Sequence, residues 1–279
     1  MHVLMIIAAL AVAFWLRSTP TEFQGSWNQR WRKALFRFLF PPLLILMTDV
    51  AIICMGPQGQ MGGLQTGWCG YNLALIYLAF FAILCVKLVW EGWQSVKSAR
   101  NCPQVDIAGQ QVRLLDTGAL FAGQIGFWRP ELVLSQGLLQ TFSPDQLETV
   151  FAHEQGHVHY RDTFWFFWLG WVRSCTAWLP NTEALWQELL VIRELRADAY
   201  AALQVDPLLL AESLLLVVSS PPVSSEIFCA ALGSSGINRL EQRIEALLSQ
   251  PEPIPEPHFQ FWNAFLFALL PLITVIFHT

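Results

Sequence analysis

The pentapeptide His153-Glu154-Gln155-Gly156-His157 puts two imidazoles four residues apart, with a glutamate directly after the first. On a helix, residues four apart share a face. Both rings can therefore turn a nitrogen toward one metal ion, while Glu154 flanks that face without ligating. This set suits hydrolysis. A zinc ion, Zn2+, one per chain, would lower the pKa of its bound water toward about 7, and Glu154 would collect the proton. A catalytic zinc needs a third protein ligand. Downstream, Glu194 and Asp198 again stand four apart, on a segment patterned as a helix over about residues 182–203. Glu194 is the expected third ligand. Asp198 is expected behind it, accepting the second ring N–H of a ligand histidine and so fixing its tautomer. Solvated histidines and a solvated acidic face are the other reading, and the pairing of the two motifs weighs against it. His159, Glu183, Glu188, His258 and His278 are weaker ligand candidates. His159 faces away from His157, and Glu183 and Glu188 lack an acid four residues on.

These residues need elements to position them. Ser143-Pro144-Asp145-Gln146 predicts a helix start, with Ser as cap, Pro at the first position and Gln completing a capping box. Upstream, residues 111–115 and 131–135 read as short strands, with Gly118, Gly123, Gly126 and Pro130 breaking the chain between them. Proteases often hold substrate extended against an edge strand. On that analogy Glu131, Leu132, Val133, Leu134 and Ser135 are expected to contact substrate, besides serving as a sheet strand. Tyr160, Arg173, Arg193 and Arg196 are candidates for stabilising an oxyanion, and nothing in the sequence chooses among them.

The surroundings are apolar. Of 279 residues, 54% are hydrophobic and only 13% charged, about half the usual charged share. The net charge of −5 offers no basic footprint for direct nucleic-acid binding. Six cysteines without a C-x-x-C pair (Cys54, Cys69, Cys85, Cys102, Cys175, Cys229) make neither a disulfide framework nor a cysteine zinc site. Cys54 and Cys69 flank an uncharged loop and are either a pair or two thiols. Membrane spans are expected over about residues 3–16, 34–54, 71–90 and 259–277. The first is short, and Pro41-Pro42 should kink the second. Basic residues follow the first and third spans but not the second, which sets the N-terminus outside and residues 91–258 in the cytoplasm. Asp49 is read as reaching water near the outer end of its span. The Trp- and Phe-rich residues 163–179 cannot cross the bilayer without separating Glu194 from His157, so they are read as a helix buried in or lying at the membrane surface.

Several segments together resemble the BlaR/MecR-type membrane metallopeptidases. They are residues 127–135, the zinc helix over residues 147–162 with its trailing Arg-Asp, the Trp178-Leu179-Pro180 turn, residues 193–198 and residues 238–248. The chain is also similar to the HtpX-like membrane proteases. The resemblance implies a gluzincin-like domain with Glu194 as third ligand and Asp198 behind it. Sensor members carry a penicillin-binding domain after the last span, which this sequence, ending at Thr279, is expected to lack. The expected fold is a mainly α membrane protein with about four transmembrane helices and a cytoplasmic α+β zinc-protease domain with a small β-sheet. The expected divisions are residues 1–98 for the N-terminal membrane region, 99–258 for the protease domain and 259–279 for the final span. The expected location is a bacterial-type cytoplasmic membrane. The expected partners are the lipid bilayer and a protein substrate, with a dimeric winged-helix transcriptional repressor as the family's usual one; an oligomer is compatible. The competing functions are membrane-protein quality control, a non-catalytic zinc sensor or scaffold, and a transporter. An intact Glu154 disfavours the scaffold, and the scarcity of charge within the spans disfavours the transporter.

Overall fold

The computed structural model describes residues 1–19, 25–61, 64–219, 237–249 and 259–277. The Pro-rich linker over residues 251–257, His258 and His278 lie outside them. The described chain divides into two compact units: Met1–Lys87 with Trp171–Leu189 and Ile254–Thr279, and Leu88–Gly170 with Leu190–Pro253. The segment 171–189, which the sequence reading kept with the protease domain, belongs to the first unit.

The first unit is built on apolar helices. α1 (His2–Ser18) packs along α2 (Trp27–Met55). A two-stranded hairpin, β1 (Gln60–Met61) and β2 (Leu64–Gln65), leads to α3 (Trp68–Asn101). Pro41 and Pro42 sit inside α2 without ending it. Among the described residues, α2 and α3 are the helices long and apolar enough to cross a membrane; α1 and the C-terminal helical stretch are shorter. The two differ in cover, for 56% of the apolar window of α2 is buried against 11% in α3. Large apolar side chains such as Ile76, Ile83 and Val86 on α3 are exposed. The thiols of Cys54 and Cys69 are free and exposed. Asp49 corrects its expectation, being buried in this unit rather than reaching water.

The second unit pairs a small sheet with helices. The strands are β3 (Gln104–Ile107), β4 (Gln110–Leu115), β5 (Ala122–Ile125) and β6 (Glu131–Ser135), in the order β3-β4-β6-β5. β4 and β6 run parallel, and the outer pairs are antiparallel. β5 occupies a stretch that its glycines mark as a break. Gly123 stands inside the strand, where an added Cβ would come within 3.2 Å of the Phe121 ring. Val112, Leu132, Leu134 and Phe151 belong to one core of this unit, and helices follow in the chain. These are α4 (Gln136–Thr141), α5 (Pro144–His159), α6 (Asp162–Cys175), α7 (Thr182–Ala201), α8 (Pro207–Ser219) and α9 (Ile237–Leu248). α3, α6 and α7 each straddle the unit boundary. The last stretch, in the first unit, is α10 (Phe259–Leu266), a 3-10 turn, α11 (Leu270–Ile273) and a further turn to Phe277.

Candidate metal centre

α5 begins as its sequence predicts. The Ser143 hydroxyl accepts from the Gln146 N–H, and the Gln146 side chain accepts from the Ser143 N–H, with Pro144 at the first position. From this fixed start, His153 and His157 fall one turn apart. Their Nε2 atoms stand 3.2 Å from each other. α7 brings Glu194 alongside, with Oε2 3.5 Å from His153 Nε2 and Oε1 3.8 Å from His157 Nε2. One donor atom from each residue lies within 4.8 Å of the others. A tetrahedral zinc with Zn–N bonds of about 2.0–2.1 Å separates its ligand atoms by about 3.3 Å. The three donors therefore fit a zinc ion in both chemistry and spacing. The two histidine side chains are each 12% exposed and that of Glu194 17%.

The approach of α7 to α5 depends on Gly156. A Cβ there would lie 3.0 Å from the Ala197 Cα and 3.1 Å from the Ala197 carbonyl oxygen. Both are backbone atoms of α7 and cannot swing away. The glycine within the pentapeptide thus sets the helix spacing that lets Glu194 reach the histidines.

Each histidine has a carboxylate at its second nitrogen. His157 Nδ1 makes a hydrogen bond of 2.8 Å with Asp162 Oδ2, whereas His153 Nδ1 lies at ion-pair distance, 2.8 Å, from Asp198 Oδ1 without hydrogen-bond geometry. The sequence places an acid behind a ligand histidine at Asp198 and assigns no role to Asp162. The available signal was an acid one turn past the second motif histidine. What hid it is the turn between α5 and α6, where Arg161 adopts a left-handed φ of 54° and re-aims the chain so that Asp162 folds back onto His157. Arginines hold these carboxylates in turn. Arg196 pairs with Asp162, and its guanidinium lies over the Tyr160 ring. Arg243 forks onto Asp198, with Nε 2.7 Å from Oδ2 and Nη2 2.8 Å from Oδ1. Arg193 binds Glu194 Oε1 at 2.6 Å. No local pattern pointed to Arg243, which is 45 residues beyond Asp198.

These charges set the proton affinities. Burial opposes ionisation of Glu194, yet Arg193, His157, His153 and Arg243 hold its carboxyl well below the usual range. Burial likewise opposes ionisation of Asp198, and Arg243 and His153 hold it low. Burial alone would depress His153, but Asp198 and Glu194 push it up to about 9. Glu154 is buried, and its Oε2 has no hydrogen-bond partner among the described residues. A buried carboxylate oxygen without a partner is costly in a finished core.

The structure thus brings His153, Glu154, His157, Glu194 and Asp198 together on α5 and α7. It does not bring β6 there as an edge. β6 is hydrogen-bonded on both sides, to β4 and to β5. Its main chain has no free edge for an added strand, which corrects the edge-strand expectation for residues 131–135, although Glu131 and Leu132 line a cleft. Leu132, Val133 and Leu134 are core residues. The Ser135 hydroxyl accepts from the N–H groups of Leu138 and Phe121. The Glu131 carboxylate is taken by Arg100 at 2.7 Å and Arg113 at 2.8 Å. Period-two patterning marks a strand but not its neighbours, and the unrecognised β5 is what moves β6 inside. Among the weaker candidates, His159 stacks on Tyr200, Glu183 pairs with Arg173 and Glu188 with Arg30. Of the oxyanion candidates, Tyr160, Arg193 and Arg196 belong to the network around the site, whereas Arg173 is engaged by Glu183 and the Trp186 ring.

β5 is an outer strand of the sheet, and α5 packs against it. A cleft of about 600 Å³ opens in this unit, lined by Gln104, Gln124, Glu131, Phe151, Gln155 and Val158 among others. Gln155 belongs to the pentapeptide itself.

Residues 104–202 match the family model described as peptidase family M48. The stretch contains both histidines, Glu154, Asp162, Glu194 and Asp198, and ends before Arg243. No curated protein and no solved structure matches the chain. The M48 match supports a metallopeptidase, a hydrolase of a family that is typically zinc-dependent.

Proposed function

We propose that the chain is a membrane-held zinc endopeptidase that cuts an extended segment of a cytoplasmic or membrane-proximal protein. The observation that carries this reading is the meeting of His153, His157 and Glu194 within 4.8 Å, beside a buried Glu154 with an unpartnered carboxylate oxygen. His153 and His157 would hold zinc through Nε2, and Glu194 through its carboxylate. When bound, the ion would supply Lewis acidity and an acidified water. Glu154 would take that water's proton and later return a proton to the leaving amine. Asp198 and Asp162 would keep each ring proton on Nδ1, leaving Nε2 bare for the metal.

The substrate would lie along β5. Its outer edge offers main-chain groups to an added strand, a mode of binding with little demand on sequence. The amide-rich cleft beside Gln155 suits a polypeptide main chain for the same reason. A winged-helix repressor is one substrate of this class, consistent with the BlaR/MecR resemblance. Membrane placement rests on α2 and α3, and most of all on the uncovered apolar surface of α3, which lipid would cover.

The test is proteolysis of an unfolded protein such as casein by the purified full chain in lipid nanodiscs, with zinc measured on the same samples. Glu154→Gln should retain one zinc per chain and lose about 10²–10⁴-fold in turnover. Cleavage at the wild-type rate by that variant would refute the assignment of the base.

A further inference from the structure

We infer that Arg243 is the positioning residue of the His153 side of the site, acting through Asp198, although it lies outside the stretch that matches the peptidase family. This rests on the zinc reading proposed above. Each histidine is followed by a carboxylate and each carboxylate by an arginine: His157, Asp162 and Arg196 on one side, His153, Asp198 and Arg243 on the other. The first set lies wholly within residues 104–202. The second is complete only because α9 delivers Arg243. α9 packs on α8, and α8 packs on α5, so the helix has a fixed seat in this unit.

The contacts are those of a planar fork. Two nitrogens of Arg243 meet the two oxygens of Asp198 at 2.7 and 2.8 Å, and the third lies 3.3 Å from Glu194 Oε2. The Asp198 side chain is 2% exposed and that of Arg243 15%, so water does little to hold either group. A bidentate guanidinium fixes the plane of a carboxylate as well as its charge. With the plane fixed, Oδ1 stays 2.8 Å from His153 Nδ1, and its negative charge favours a proton on that nitrogen, with Nε2 left for the metal. Without the fork, the carboxylate is free to turn, and nothing selects that tautomer. The same guanidinium also limits the rotation of Glu194. One side chain from beyond the matched stretch therefore orients two of the three expected ligands.

The experiment is a double-mutant cycle read as zinc affinity, by chelator competition on the full chain in nanodiscs. The variants are Arg243→Gln, Asp198→Asn and the two combined. Supporting partners of metal ligands typically contribute 10–100-fold in affinity. Arg243→Gln should weaken zinc binding by about that factor, and the double variant should bind about as well as Asp198→Asn alone. Arg243→Lys, which keeps the charge and loses the fork, should recover only part of the loss. It carries the same cycle if the glutamine variant does not fold. Arg196→Gln combined with Asp198→Asn is the control, and there the two losses should multiply. Undiminished zinc binding by Arg243→Gln, or losses that multiply in its double variant, would overturn the role of Arg243 and leave the zinc site standing. A wild-type chain that binds no zinc would overturn both.

Discussion

Two halves of the second unit treat polar side chains in opposite ways. On α5 and α7, the half-buried His153, His157 and Glu194 converge beside buried Glu154, and one Glu154 oxygen is left without a partner. On β6, every polar group is spent on the fold: Glu131 on two arginines, Ser135 on capping α4, the main chain on both neighbouring strands. The polar groups of β6 are mutually satisfied, whereas those of α5 and α7 converge with spacing that suits a metal ion. The contrast lies in what the groups face, since both sets are buried or half-buried.

The contrast is broken most directly at the ligands. His153→Ala, His157→Ala and Glu194→Ala should each lose stoichiometric zinc after dialysis, an effect well beyond the 10–100-fold of a supporting partner. Glu131→Gln should keep its zinc. Elemental analysis of the dialysed proteins decides this, and full zinc in Glu194→Ala would refute the third ligand. Below that in size come Asp162→Asn and Asp198→Asn, each expected to cost about 10–100-fold in zinc affinity. Equal losses would make the two sides of the site equivalent. A much larger loss for Asp198 would mark it as the dominant support.

The helical half was legible because its signals are local. A four-residue spacing names a helix face, and Ser143 to Gln146 states where that helix starts. The link between α5 and α7 was legible only as chemistry, two ligands in need of a third. Asp162 and Arg243 were not legible, since one depends on a single left-handed residue, Arg161, and the other on a helix 45 residues away. The sheet half failed for a different reason. Glycines at 118, 123 and 126 read as punctuation; Gly118 and Gly126 do lie outside the strand, yet β5 forms through Gly123 because its pairing with β6 outweighs a weak local preference. Missing one short strand was enough to turn an interior strand into an expected edge. Among the apolar helices, α1 and the C-terminal stretch lie close to their expected bounds, while α2 and α3 extend well past the expected residues 34–54 and 71–90.

Gly156 tests whether the convergence depends on helix spacing. Gly156→Ala adds a methyl against the backbone of α7, at 3.0 Å from the Ala197 Cα. Overpacking of this kind costs about 1–3 kcal/mol, and here any relief must come from moving Glu194 away from the histidines. Thermal unfolding should fall and zinc affinity should weaken together. A variant that loses stability while binding zinc as tightly as the wild type would show that α7 can yield without disturbing the site.

The smallest effect is expected in the sheet half. Burial raises the proton affinity of Glu131, but hydrogen bonds from Arg100 and Arg113 outweigh it and hold the carboxyl below its ordinary value. A carboxyl whose folded pKa is depressed stabilises the fold above its unfolded pKa, and that contribution fades as pH falls through the folded value. The Arg100 side chain is 59% exposed, so solvent screens much of the interaction and the contribution at neutral pH should be under about 1 kcal/mol. Glu131→Gln should therefore lower the unfolding temperature slightly at pH 7, and the difference from wild type should shrink on acidification below about pH 4. A gap that stays constant with pH would mean that shape, not charge, is what β6 draws from Glu131. A change in zinc affinity would put this residue back among those that serve the site.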